Sequence, residues 1–151
     1  MGWRHACART RDGRVHCWGD NAYGQLGRGH TRGSDVAGPV PDLDGVASLS
    51  ASGFHTCALR VDGGVRCWGR NDLGQLGDRT TAPRPSPVAV RAGDGELARA
   101  RAVAAGVDHT CALVEGAAVA VVCWGGDLRG ETGSGRLLST GRQAVMYPGA
   151  L

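Results

Sequence analysis

Three times in 151 residues a histidine is followed two positions later by a cysteine, with a second cysteine further along. The sets are His5, Cys7 and Cys17; His55, Cys57 and Cys67; and His109, Cys111 and Cys123, with cysteine separations of 10, 10 and 12. Imidazole and sulfur together can bind zinc or make an activated nucleophile, and two sulfurs can form a disulfide. Spacing separates these chemistries. Structural zinc sites draw on closely spaced Cys-x-x-Cys pairs, and this chain has none. An active site is normally built once, whereas this combination recurs in every copy. We therefore expect no catalytic residue, no metal and no cofactor, and a structural role for the histidines as hydrogen-bond partners of a neighbouring unit's backbone.

The cysteines need strands to bring them together. Asp62-Gly63 lies between two short runs rich in Val, Leu and Cys, which is a hairpin signal. A three-residue loop, Val61 to Gly63, with the glycine left-handed, sets Cys57 opposite Cys67 and Leu59 opposite Val65. The same arithmetic sets Cys7 opposite Cys17 around Arg11-Asp12-Gly13. Cysteines facing at such a non-hydrogen-bonded position have Cα atoms about 4.5 Å apart, at the short end of disulfide geometry. Two readings stand. Either all three pairs are disulfides, favouring a secreted or cell-surface location, or cysteine serves as a small buried apolar residue. Bridging a hairpin of this size gains less than about 3 kcal/mol.

These hairpins belong to a larger repeat. His55 to Gly77 reads His-Thr-Cys-Ala-Leu, then Cys67-Trp68-Gly69-x-Asn71, then Gly74-Gln75-Leu76-Gly77. The first copy has Cys17-Trp18-Gly19, Asn21 and Gly24-Gln25-Leu26-Gly27; the third has Cys123-Trp124-Gly125 and Gly130-Glu131-Thr132-Gly133. Corresponding histidines lie 50 and 54 residues apart, a period that signals a solenoid or propeller. Val46 to Ala51 and Ala102 to Ala105 read as strands leading into two of the hairpins, and no segment has a helical period. The fold class is all-β, a partial β-propeller of about three blades built from four-stranded antiparallel sheets. One tryptophan per unit at a fixed place most simply packs between blades; an aromatic ligand-binding surface is the functional alternative.

The chain resembles the regulator of chromosome condensation repeat family, particularly bacterial members with His-Thr-Cys-Ala-Leu and Cys-Trp-Gly-x-Asn motifs. The resemblance covers residues 3 to 135 and implies an arc of a ring that usually closes with seven blades. Members are mostly interaction platforms. One eukaryotic branch exchanges guanine nucleotides on a small GTPase, and at least one bacterial branch inhibits a secreted enzyme. The resemblance thus implies a non-catalytic protein–protein interaction scaffold with a protein partner. Guanine-nucleotide exchange is the alternative, and a truncated remnant without independent function is another.

Composition narrows the partners. All 17 basic residues are arginine and isoleucine is absent, a bias expected of a GC-rich, bacterial genome. The net charge of +3 is spread among acids with no basic run, so no nucleic-acid partner is expected. No stretch reaches 18 uninterrupted apolar residues, so no membrane-spanning helix is expected either. Met1 to His5 lacks the apolar core of a signal peptide.

In order, the repeats occupy residues 1–135, with units over 3–29, 46–77 and 100–133. Residues 30–45 read as a loop and Asp78 to Pro87 as a rigid connector. The tail, 136–151, is expected to be poorly ordered. The first unit lacks a strand before its hairpin, so the chain reads as a fragment, the product of a shortened gene, or a subunit that self-associates through open blade edges. The stretches that differ among copies, 20–23, 70–73 and 126–129, are the expected contact loops.

Overall fold

The computed structural model describes residues 1–116, 119–133 and 143–145. Strands β1 (His5–Arg9) and β2 (Val15–Gly19) form the first hairpin, and β3 (Ser34–Pro39) pairs with β2 to complete a three-stranded sheet. The second sheet is four-stranded, in the order β4 (Val46–Ser52), β5 (His55–Arg60), β6 (Val65–Gly69) and β7 (Arg84–Ala89). A short pair, β8 (Arg91–Ala92) and β9 (Gly95–Glu96), follows. The third sheet runs β10 (Ala100–Ala105), β11 (His109–Val114), β12 (Ala120–Gly125) and β13 (Gln143–Val145). All pairings are antiparallel, and the described residues contain no helix.

Turn chemistry sets the hairpin register. Arg60 N–H donates to the Gly64 carbonyl at 2.9 Å, which closes the three-residue loop Val61–Asp62–Gly63, and Gly63 sits at φ +82°. Only glycine takes that left-handed position without steric cost. Cys57 then faces Cys67 and Leu59 faces Val65, while Cys7 faces Cys17 in the first blade, as the loop arithmetic requires. The third hairpin keeps the pairing of Cys111 with Cys123 despite two extra residues. Its Gly116-Ala-Ala turn extends outside the described residues at 117–118.

Two segments differ from expectation. The loop foreseen over 30–45 contains β3, and the connector foreseen over 78–87 runs into β7. Both strands carry prolines (Pro39, Pro85, Pro87), and both pair on one side only. Proline has no N–H for a ladder, so an outer edge strand is where it fits within a sheet. The tail foreseen over 136–151 lies outside the described residues except for β13, which pairs with β12 through Val121, Val122 and Cys123.

The apolar core lies between the blades. Val15, Cys17, Leu26, Val40 and Leu43 of the first blade pack with Val46, Ala58 and Trp68 of the second. Cys57, Leu59, Val65, Cys67, Leu76 and Val90 of the second pack with Leu97, Ala100, Ala112 and Trp124 at the third. A single sheet cannot bury both its faces, so stacking supplies each cluster with its second wall. Along one side of the stack, β1 and β10 pack on β4, and Ala105 N–H donates to Ser50 Oγ at 2.9 Å.

Candidate interaction site

The repeated residues converge on the seams. In the first seam His5 Nε2 lies 2.8 Å from Thr56 Oγ1, Thr56 Oγ1 donates to the Gln25 carbonyl at 3.3 Å, and Trp68 Nε1 donates to the same carbonyl at 2.8 Å. In the second, His55 Nε2 lies 2.9 Å from Thr110 Oγ1, which donates to the Gln75 carbonyl at 2.9 Å, with Trp124 Nε1 on that carbonyl at 3.0 Å. Because each hydroxyl proton is spent on a carbonyl, the hydroxyl oxygen accepts from the imidazole, and Nε2 carries the ring proton. A histidine of one blade is thus wired through a threonine of the next to the backbone that the next blade's tryptophan also holds.

This corrects one expectation. The histidines meet a neighbouring blade's threonine hydroxyl, not its backbone directly. The signal was in the text: His-Thr-Cys occurs in the second and third copies, but the first has His5-Ala6-Cys7. Thr56 and Thr110 each have a preceding blade to receive, and both are fully buried.

Burial governs the titration of these rings. Desolvation, with a smaller push from the N-terminal amine, lowers the His5 pKa from the usual 6.5 to about 4. His55 is lowered to about 3, mainly by burial. Neutral imidazoles that donate Nε2–H into a seam cannot also take a proton from a substrate at neutral pH. Nor is a thiolate present. Cys7–Cys17, Cys57–Cys67 and Cys111–Cys123 are disulfides with Cα separations of 4.1, 4.1 and 4.0 Å. Among the described residues, no group of three His, Cys, Asp or Glu side chains is placed to hold a metal ion.

Gly19, Gly69 and Gly125 end the second hairpin strand of each blade at φ near +105°. A Cβ there would come within 2.5 to 2.7 Å of the backbone carbonyl oxygens of Arg4, Phe54 and Asp108, so each position requires glycine. Trp68 and Trp124 are fully buried, and each indole lies against the glycine that closes the previous blade's loop, Gly27 or Gly77. Trp18, at the same place in the first blade, is only half-buried.

From Gly19, Gly69 and Gly125 the chain enters the loops 20–23, 70–73 and 126–129. Asn21 Oδ1 accepts Leu26 N–H, and its Nδ2 donates to the carbonyls of His30 and Arg32. Asn71 does the same with Leu76, Thr80 and Ala82. Asp127 keeps the acceptor half, taking Thr132 N–H at 2.9 Å, but a carboxylate has no N–H to return. Thr132 fills the buried leucine position of the other copies, which agrees with the loss of an apolar plug there. Below each tip, Gln25 Oε1 and Gln75 Oε1 accept the N–H of Tyr23 and Leu73, while their amides donate to Asp20 and Asp72.

Buried amides therefore fix the loop backbones, and the side chains at the tips are left to vary: the exposed Ala22, Asp72 and Leu128 at one position, the exposed Tyr23 and Arg129 and the half-buried Leu73 at the next. Beside these loops lies a cluster that sequence reading missed. Phe54 touches Trp3 at 5.5 Å between ring centroids and Tyr23 at 5.4 Å. Arg70 lies over the Tyr23 ring and also bridges Asp72 at 2.6 Å and Asp108 at 3.2 Å, tying together three blades. Arg70 and Asp72 aside, the partners in these contacts are 31 to 51 positions apart, and no motif links them.

Family and structural comparisons agree with this architecture. Two models described as the regulator of chromosome condensation (RCC1) repeat match, one over residues 1–25 and 46–75 and the other over 62–113. Human WBSCR16 superposes with a TM-score of 0.80 at 24% identity, over 97% of this chain and 36% of that one. Prp20p of Saccharomyces cerevisiae, whose structure was described with its binding to Gsp1p and histones, gives 0.75 at 23% identity over 98% and 37%. The chain thus spans little more than a third of the length of either structure. With its repeat motifs, blade pairing and seams in register, the chain belongs to the regulator of chromosome condensation repeat family.

Proposed function

We propose that the chain is a non-catalytic protein-binding scaffold that meets its partner through loops 20–23, 70–73 and 126–129. The observation that carries this reading is the division of labour within each repeat. Residues that hold seams and loop backbones recur, whereas the side chains exposed at the loop tips differ from blade to blade. Loops displayed on a rigid frame are where recognition is usually built. Disulfide-bonded cysteines and buried neutral histidines support the non-catalytic part, because they leave the most reactive side chains of the repeat engaged. Three hairpin disulfides also favour an oxidising compartment.

The test is to reverse charge across the three loops at once (Asp20→Arg, Asp72→Arg, Arg129→Glu) in the full chain. Proteins cross-linked to the wild-type chain should be lost while the fold, read by circular dichroism, is kept; an unchanged set removes the proposal. Guanine-nucleotide exchange is separated by a nucleotide-release assay with candidate small GTPases, in which a scaffold gives no acceleration.

A further inference from the structure

The two seams differ at the hairpin-turn end of the blades, away from the loop tips. In the first, Val61 N–H donates to the Gly45 carbonyl at 2.8 Å and Val46 N–H to the Gly13 carbonyl at 3.1 Å. In the second, Glu115 N–H donates to the Arg99 carbonyl at 3.0 Å and Ala100 N–H to the Gly63 carbonyl at 3.0 Å. Arg99 thus stands where the first seam has Gly45, and φ is +59° at both. Glycine takes that conformation freely, whereas an arginine there carries a steric cost. Backbone strain of this kind gathers at functional positions. Arg79, also left-handed at φ +68°, uses its guanidinium on the Gly93 carbonyl. Arg99 is exposed and enters no ion pair among the described residues.

Arg99, Arg60 and Arg101 line one cleft of about 540 Å³. At the matching places the first seam has Gly45, Thr10 and Ala47, none of them charged, and one arginine, Arg11, on its turn. Two carboxylates share the cleft: Asp62 pairs with Arg60 at 3.3 Å and Glu115 with Arg101 at 2.7 Å. Each pair engages one nitrogen of its guanidinium, and the side chains of Arg101 and Glu115 are 64% and 48% exposed. Pairs as open as the second are weakly held. Three guanidinium groups against two carboxylates leave one positive charge of the lining unmatched, at Arg99. Leu59 and Ala100, both buried, supply an apolar wall, beside which a charge acts more strongly than on open surface.

We infer that this cleft binds an oxyanion, a carboxylate or phosphate group, with Arg99 as its main contact and Arg60 and Arg101 flanking it. The guanidinium fork matches either group with two parallel hydrogen bonds. One net charge suits a single such group and falls short of the several phosphate contacts that a nucleic acid needs. The cleft is of the size, about 300–1,000 Å³, usual for small-ligand sites. It lies at the other end of the strands from loops 20–23, 70–73 and 126–129, so it stands apart from the reading proposed for them. The oxyanion belongs to an acidic side chain of a protein partner or to a small phosphorylated molecule, and the experiment separates these sources.

The experiment titrates the isotope-labelled full chain at low ionic strength and reads backbone amide shifts by nuclear magnetic resonance. The probes are an acetylated triglutamate peptide, its triglutamine counterpart and inorganic phosphate. Triglutamate or phosphate should shift the amides of 60–63, 99–101 and 115–116 saturably, and less as salt rises; triglutamine should not. Tighter binding of triglutamate assigns the oxyanion to a partner's acidic side chain, and tighter binding of phosphate assigns it to a phosphorylated ligand. Arg99→Gly gives this place the residue of the first seam, so the thermal midpoint should not fall, while affinity should drop by about tenfold or more. Arg99→Gln keeps the backbone cost without the charge and should lose affinity to the same extent. Arg32→Gln, at an exposed position in the first blade, should bind as the wild type does.

The inference is overturned by no saturable shift with either anion, by shifts centred away from these residues, or by an equal response to triglutamine. Affinity indifferent to both Arg99→Gly and Arg99→Gln, or an equal loss in Arg32→Gln, overturns it as well.

Discussion

The two seams and the loop tips are made by the same repeats yet obey opposite rules. In the seams, His, Thr, Gln and Trp recur with contact distances that agree to within half an ångström. At the tips, three blades place Ala, Asp and Leu at one position and Tyr, Leu and Arg at the next. Buried polar groups must be satisfied whatever the protein binds, because an unmade hydrogen bond in the interior costs about 1–3 kcal/mol. Exposed side chains carry no such obligation. Variation inside a repeat therefore marks the surface available for recognition, and sameness marks the frame.

The sharpest way to break this contrast is to empty a seam. Trp68→Ala removes a fully buried indole and leaves the Gln25 carbonyl without its donor, so we expect a loss of about 3–5 kcal/mol. Trp18→Ala, at a half-buried site, should cost about 1 kcal/mol. Equal losses in urea denaturation would mean that the motif stabilises its own blade and not the contact between blades.

Acid should open the same seams. For His5 and His55 the folded pKa is about 4 and about 3, against 6.5 for an unperturbed ring. The unfolded chain then binds more protons than the folded one, and stability falls as pH drops through 6.5 towards 4. Shifts of this size correspond to roughly 3–5 kcal/mol per histidine. Denaturation curves at pH 7 and pH 4.5 should differ, and the difference should shrink in His55→Gln. A stability flat over that range would place the imidazoles outside the seams. At neutral pH, Thr110→Val should cost about 1–3 kcal/mol by orphaning His55 Nε2.

Within a blade the effects are smaller. Replacing Cys57 and Cys67 together by alanine should cost at most about 2–3 kcal/mol, the loop-entropy value for so short a span. A larger loss than for Trp68→Ala would make the hairpin, and not the seam, the weak link. Smallest of all, Tyr23→Ser and Leu128→Ser should change stability by no more than about 0.5 kcal/mol. If Tyr23→Ser alone destabilises the chain, the ring under Arg70 serves the frame as much as it serves recognition.

How much of this was legible in the text depended on the range of each interaction. The Asp62-Gly63 turn carries its own geometry, and counting outward from it sets Cys57 on Cys67 without knowledge of any other blade. The prolines of β3 and β7 misled, because the signal of proline in a loop and of proline on an outer edge is the same letter. Thr56 and Thr110 were visible as repeated residues, but their purpose was not, since hydroxyl and imidazole stand 51 and 55 positions apart.

The sequence by itself determined the repeat, the register of the first two hairpins and which cysteines face each other in them, because turn chemistry and period-two alternation act over a few residues. Only the tertiary structure decided that the histidines bond across seams, that the tryptophans share a carbonyl with them, and that Trp3, Phe54 and Tyr23 meet. Those contacts exist only once blades stack, and stacking is driven by burial of faces that no local stretch can describe.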